Sequence, residues 1–122
     1  MKILVFTEQR EGKFKRTAFE TITAGKKLAM EFNAELIALA VGHNLDAQTN
    51  EFSAYGVSKI IIADDERLAM YSTTAYAKIV AEVAQKENAN IILFSASQMG
   101  KDIAPRVAVK LDAGCASDCT AL

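Results

Sequence analysis

The sequence predicts an α/β fold: a doubly wound, three-layer α/β/α sandwich around a mainly parallel sheet. Three observations predict it. Four short segments contain near-continuous apolar runs, "ILVF", "LIALAV", "III" and "IILF", the pattern of strands covered on both faces. The segments between them repeat apolar residues at three- and four-residue spacing, the period of amphipathic helices. Strand–helix alternation with right-handed crossovers then puts helices on both faces of the sheet.

The first strand is expected over residues 2–7, followed by a long charged connection, "TEQREGKFKR", with the single glycine Gly12. A helix over 17–32 follows, carrying Ala18, Ile22, Leu28, Ala29 and Phe32 on one face. The second strand occupies 35–41. A shorter helix over 46–55 is stopped by Gly56, which tolerates positive φ at a helix terminus. The third strand, 59–63, leads to a helix over 73–86 with the stripe Tyr76, Ile79, Val80 and Val83. The fourth strand covers 90–94. The last helix carries Ile103, Val107 and Leu111, flanked by Ala104 and Ala108. Pro105 fits best in a first turn, so the regular helix is expected to start near Asp102 or to kink there. After Gly114, "CASDCTAL" reads as the start of another extended segment that stops at Leu122 without a turn or polar tail. A chain cut at a domain boundary explains that end at least as well as a natural terminus.

The 122 residues suit one domain with its own core, and 51% hydrophobic with 24% charged residues is the balance of a globular protein. No apolar run approaches the roughly 18 residues of a membrane span. The amino-terminal run, Ile3 to Phe6, is shorter than the about 7–15 residues of a secretory core, so export is not expected. A net charge of −1 sets up no bulk attraction for nucleic acid or membrane. Seven of the 14 basic residues (Lys2, Arg10, Lys13, Lys15, Arg16, Lys26 and Lys27) fall in the first 27 positions, against three acids. No aromatic-rich binding surface accompanies them, so they read as a solvated loop and helix face. Cys115 and Cys119 would lie about 13 Å apart on an extended strand, too far for a disulfide; on a helix they could face one another, but a structural metal would need two further ligands. They read as small apolar residues in a reducing compartment.

Catalytic constellations are sparse. The first strand–helix connection lacks the Gly-x-Gly-x-x-Gly turn that lets backbone approach a pyrophosphate, and no Gly–Lys–Ser/Thr phosphate loop occurs. The single histidine, His43, ends the second strand in "VGHNLD", at the sheet edge where ligands bind in this architecture. Its position there suits a surface or capping role better than a catalytic one. "ADDER", residues 63–67, brings three acids to the same edge; they could bind a cation but read more simply as a helix entrance. No residue is therefore assigned a catalytic or metal-binding role. The stretch after the fourth strand, "FSASQMGKDIAPRVAVKLDAG", is the place for an anion or an AMP-like group. Gly100 permits a tight turn, a helix N-terminus offers free N–H groups, and Ser95, Ser97 and Lys101 add donors. Against this, Asp102 can cap those amides itself and Arg106, four residues on, can pair with it. Ser97, Gly100 and Lys101 are thus the candidate loop, in a helix entrance that looks self-satisfied.

The same residues carry a resemblance. "GKDIAPRVAVKLDAGCASDCTAL" resembles the end of the N-terminal domain of electron-transfer flavoprotein alpha subunits, with its Gly–Arg/Lys–Asp–Leu–Ala–Pro–Arg–Val and Ala-Ser-Asp-x-Thr strings. "EFSAYGVSKIIIADD" and "ILVFTEQREGKFKRTAFETITAGKKLA" are similar to the family's middle and start, so the likeness covers essentially the whole chain. Departures are Cys115 and Cys119, where aliphatic residues are usual, and Asp112, where Gly is usual. The resemblance implies a single N-terminal domain over 1–122, with an adenine nucleotide alpha hydrolase-like, Rossmann-like fold. It further implies an FAD-binding C-terminal domain absent from this chain, and AMP bound only in the beta subunit. The partners it implies are that beta subunit, dehydrogenases such as those of fatty acid β-oxidation, and a quinone oxidoreductase, in the bacterial cytoplasm or the mitochondrial matrix. The domain itself is expected to be a non-catalytic part of an electron carrier. The alternative is a free-standing nucleotide-binding domain similar to universal stress proteins, whose signature would be a multi-glycine loop after the fourth strand.

Overall fold

A computed structural model describes residues 2–10, 13–45, 50–95 and 97–111. Four strands, β1 (Lys2–Thr7), β4 (Glu35–Gly42), β5 (Lys59–Asp64) and β6 (Ile91–Leu93), form one sheet in the order β5-β4-β1-β6. All pairs are parallel, with Ile3 opposite Leu36 on one side and Ile91 on the other. Their apolar runs follow from this position: β1 and β4 are central, and every residue from Ile3 to Thr7 and from Leu36 to Gly42 is buried.

Alternation along the central strands divides the core. Ile3, Val5, Leu36 and Ala38 face α1 (Arg16–Phe32) and meet its Ile22 and Ala29, together with Phe52. Leu4, Phe6, Ile37, Leu39 and Val41 face the other way, onto α2 (Thr73–Glu87) and α3 (Gln98–Leu111). The result is the expected three-layer sandwich. Chain direction and face reverse together: β1 to β4 crosses by α1, whereas β5 to β6 crosses by α2 on the opposite face. Both crossovers therefore keep one hand. The strand order reverses between β1 and β6.

The helices end for local reasons. Asn33 and Asn88 terminate α1 and α2 in the left-handed conformation, at φ 51° and 57°, and their N–H groups return to Ala29 and Ala84. Ser72 caps α2, accepting from the Ala75 N–H at 3.4 Å. Gly56 has φ 84°, as a terminating glycine should.

Four expectations need correction. The charged first connection is a small antiparallel hairpin, β2 (Gln9–Arg10) with β3 (Lys13–Phe14). Two-residue strands are too short to show a period in sequence. The 46–55 helix is a 3₁₀ helix over Asn50–Tyr55; residues 46–49 lie outside the described residues. Its fold is driven by Phe52, wedged against Phe14 and Phe19 at ring separations of 4.8 and 5.6 Å. The fourth strand is shorter than expected, Ile91–Leu93. Lastly, of the two expectations for Pro105, a helix start near Asp102 does not hold: α3 starts at Gln98, with Pro105 inside it. Pro105 offers no N–H to the Lys101 carbonyl, but both residues are exposed, so water can satisfy that oxygen. Gly12, Cys115, Cys119 and the expected terminal extended segment lie outside the described residues.

Candidate functional site at the carboxyl edge of the sheet

Ligands in doubly wound sheets bind outside the carboxyl ends of the strands, where the strand order reverses. Here that point lies beyond Thr7 of β1 and Leu93 of β6. Polar residues follow each apolar run at once. Thr7, Glu8, Gln9 and Ser95 are all buried there.

Each has its partners. Thr7 donates its hydroxyl to the Leu39 carbonyl at 2.7 Å. Gln9 Nε2 donates to the Val41 carbonyl at 2.9 Å and to the Tyr76 hydroxyl at 3.2 Å; that hydroxyl donates to the Leu68 carbonyl at 2.7 Å. Burial raises the Tyr76 pKa. Glu8 accepts from the hydroxyls of Thr17 at 2.8 Å and Ser95 at 3.2 Å, and Lys15 Nζ lies 3.6 Å from its other oxygen. A cleft of about 430 Å³ opens above them, bounded by Glu8, Arg10, Lys15, Tyr71, Gln98 and Met99 among others.

The candidate loop closes this edge from the side of α3. Ser97 is the cap of that helix: its Oγ accepts from the Gly100 N–H at 3.1 Å, and its carbonyl accepts from the Lys101 N–H at 2.9 Å. Gly100 is buried, and a Cβ placed on it would lie 2.0 Å from the Ser95 carbonyl oxygen. The space that glycine leaves is therefore filled by the chain's own backbone. The Lys101 side chain is exposed. The loop thus fits a packed helix entrance better than an open phosphate cradle.

Asp102 does not act as the cap and is not the expected partner of Arg106. It accepts hydrogen bonds from the Tyr71 hydroxyl at 2.8 Å and from the Thr73 hydroxyl, and those bonds, Thr73 first, lower its pKa. Arg106 adds only its charge at a distance. Burial, supported by the facing carboxylate, pushes the Tyr71 hydroxyl up to about 12. These partners lie about 30 residues away in sequence, which hid them from local reading.

The other sequence candidates are dispersed. His43 Nδ1 lies 3.3 Å from Asp64 Oδ1, an ion-pair distance without hydrogen-bond alignment. Asp64 also accepts from the N–H groups of Leu45 and Asn44, and the Leu45 bond is the largest of the influences that lower its pKa. His43 follows β4 and Ser95 follows β6, two strands apart or about 10 Å at strand spacing. Ser95 and His43 therefore do not pair. Asp65 caps the short 3₁₀ helix Glu66–Leu68, the helix entrance expected of "ADDER", and its bonds to Arg67 lower its pKa to about 2. Among the described residues no cluster could hold a metal ion. The basic residues are spread as well: Lys2 stands at the amino end of β1, whereas Arg10 and Lys15 lie beyond its carboxyl end. Sequence reasoning missed Glu8 and Gln9; the abrupt change from "ILVF" to "TEQ" at a strand's carboxyl end was the available signal.

The fold is shared with the crystal structure of a universal stress protein in complex with cAMP, at TM-score 0.61 over 98% of this chain and 97% of that one. Identity is 14%, so the likeness concerns the fold alone. Relatives in sequence are of another kind. The chain is 42% identical over 120 residues to the acryloyl-CoA reductase electron transfer subunit beta of Anaerotignum propionicum, covering 98% of this chain and 33% of that protein. It is 34% identical to the electron transfer flavoprotein subunit alpha of Clostridium acetobutylicum, covering 98% of this chain and 36% of that protein. It is 31% identical to subunit LctC of the lactate dehydrogenase (NAD(+),ferredoxin) of Acetobacterium woodii, covering 98% and 29%. The chain spans about a third of the length of these curated relatives. Among the described residues no helix is long and apolar enough to cross a membrane. Residues 3–122 match the family model of the electron transfer flavoprotein domain, and the chain belongs to that family.

Proposed function

We propose that these residues form the N-terminal domain of an electron-transfer flavoprotein alpha subunit, acting as scaffold and subunit interface rather than as a cofactor site. The observation that carries this reading is the family match over nearly the whole chain, combined with relatives named as electron transfer subunits. In the proposed assembly FAD is held by a part of the alpha subunit outside these 122 residues. The heterodimer with a beta subunit, which would hold any AMP, passes electrons from dehydrogenases to a quinone oxidoreductase or another acceptor. Its proposed location is the bacterial cytoplasm, or the mitochondrial matrix in a eukaryote. The packing of Gly100 against Ser95 supports a domain that holds no nucleotide at its own helix entrance.

The test is retention of cofactor. The purified 122-residue protein, mixed with FAD and passed over a sizing column, should elute colourless. Calorimetry with AMP or ATP should give no binding heat. Stoichiometric flavin absorbance would refute the scaffold reading. Micromolar AMP binding that depends on Lys101 would favour the alternative, a free-standing nucleotide-binding domain.

A further inference from the structure

Glu8 is the one buried acid among the described residues, 2% exposed at the carboxyl end of β1. Its surroundings are those of a bound anion. Thr17, in the first turn of α1, gives its hydroxyl to Oε2, and that turn contains no acid of its own. Ser95 gives its hydroxyl to the same oxygen. The Ser95 proton being so used, the 2.9 Å contact between the two serines has Ser97 as donor, and Ser97 in turn accepts from Gly100 N–H. A hydrogen-bonded relay thus runs from the N-terminus of α3 to Glu8. Lys15, at 3.6 Å from Oε1, supplies a cation. The carboxylate therefore joins the N-terminal ends of two helices, one on each face of the sheet, at the reversal of strand order. Donors of this kind serve phosphate and carboxylate alike.

We propose that Glu8 is a resident anion: its carboxylate occupies the position where these donors would otherwise hold a ligand's phosphate or carboxylate, and so excludes phosphorylated small molecules from the cleft above. The proposal rests on the scaffold reading above and supplies a residue-level reason for it.

Replacement of Glu8 by alanine removes the atoms of an acetate ion and leaves the donors unpaired, whereas glutamine fills the space without charge. The full 122-residue chain, E8A and E8Q are compared in chloride, inorganic phosphate and acetate at matched ionic strength, by thermal unfolding and amide NMR. Phosphate or acetate should raise the E8A midpoint by about 4 °C or more beyond any rise in E8Q and the parent chain. The E8Q control subtracts the general stabilisation that phosphate gives any protein. Amide shifts at Thr17, Ser95 and Ser97 should accompany the rise in E8A alone. Should E8A be unfolded in chloride, it should refold in phosphate or acetate. An E8A response no larger than that of E8Q, or an E8A chain unfolded in all three salts, overturns the proposal. AMP binding by the parent chain would overturn the scaffold reading and the exclusion with it, whereas a failed E8A response without AMP binding overturns the proposal alone.

Discussion

Substitution of Gly100 by alanine separates two accounts of the loop by the sign of its effect. Were the glycine there to let a phosphate approach, alanine would leave the fold intact. It would even stabilise a helix interior by up to about 1 kcal/mol through propensity. The structure requires the opposite. A Cβ at this position would meet the Ser95 carbonyl oxygen at 2.0 Å, against roughly 3.4 Å for ordinary contact. The obstacle is backbone on both sides, so no rotamer change relieves it. Overpacking of this kind costs about 1–3 kcal/mol. A shift of the helix start also threatens the Ser97 cap on the Gly100 N–H, another ~1 kcal/mol. After the propensity gain is subtracted, the expected net loss is about 1–3 kcal/mol, which for a chain of this size lowers the midpoint by roughly 4–12 °C. Gly25 is the internal control. A Cβ there would meet side-chain atoms of Val5 and Leu36 at 2.8 and 3.0 Å, and these can yield. G25A should therefore lose no more than about 2 kcal/mol. Urea and thermal unfolding followed by circular dichroism measure both. A G100A chain as stable as the parent, or more stable, would refute the packing argument and reopen the loop as a ligand site.

Three other outcomes follow from the geometry. Asn88→Ala forces a Cβ-bearing residue without a compensating polar side chain to keep φ near 57° at the end of α2, and should cost about 1 kcal/mol in urea unfolding, with Asn88→Gly restoring the loss. Asp65 is held at about 2 by its bonds to Arg67, below the ordinary carboxylate range. The unfolded chain binds the extra proton first, so the stability this carboxylate contributes is present above about pH 4 and disappears as pH falls to about 2. A carboxyl NMR titration of Asp65 with a midpoint near 4 would contradict the assignment. Tyr71, pushed up to about 12 chiefly by burial, works in the reverse sense. Its contribution is complete below about pH 10 and is lost as pH rises through the folded value. In spectrophotometric titration Y71F should lose one of the two late phenolate steps, that of Tyr76 remaining, and in D102N the Tyr71 step should move to lower pH because the facing negative charge is gone.

Legibility in the sequence followed the range of the interactions. The strands β1 and β4 are evident from their apolar runs because burial on both faces leaves no other pattern, whereas β5 keeps its run at the sheet edge with Ile60 and Ile61 half-buried and Ile62 exposed. The stripes of α1 and α2 are evident because Ala18, Ile22 and Ala29, and Tyr76 and Val80, recur at helical spacing and point inward; Phe32, expected on the same face of α1, is instead exposed at the helix end. Pro105 suggests a later start for α3, a local rule overridden by packing: Ile103, Ala104 and Val107 are buried, and the Ser97 cap, eight residues before that proline, fixes the helix entrance. The site was less legible still. Glu8 reads as one more charge in a charged loop until Ser95, 87 residues away, is brought beside it. Asp102 reads as a cap or a partner for Arg106 until Tyr71 and Thr73 arrive from another element.

The likeness to a cAMP-bound universal stress protein and the membership of an electron-transfer family pull in different directions only if fold is taken for function. What the two proteins share is the fold alone. Whether a given chain uses the carboxyl edge of such a sheet depends on a few side chains at the reversal of strand order, each testable by itself. In this chain the glycine at the helix entrance admits a backbone carbonyl, and the nearby donors converge on a carboxylate carried in by the first connection. Both features belong to the connections that follow β1 and β6, beyond the strands themselves. The family's identity accordingly shows in the pattern of the whole chain rather than in any single loop.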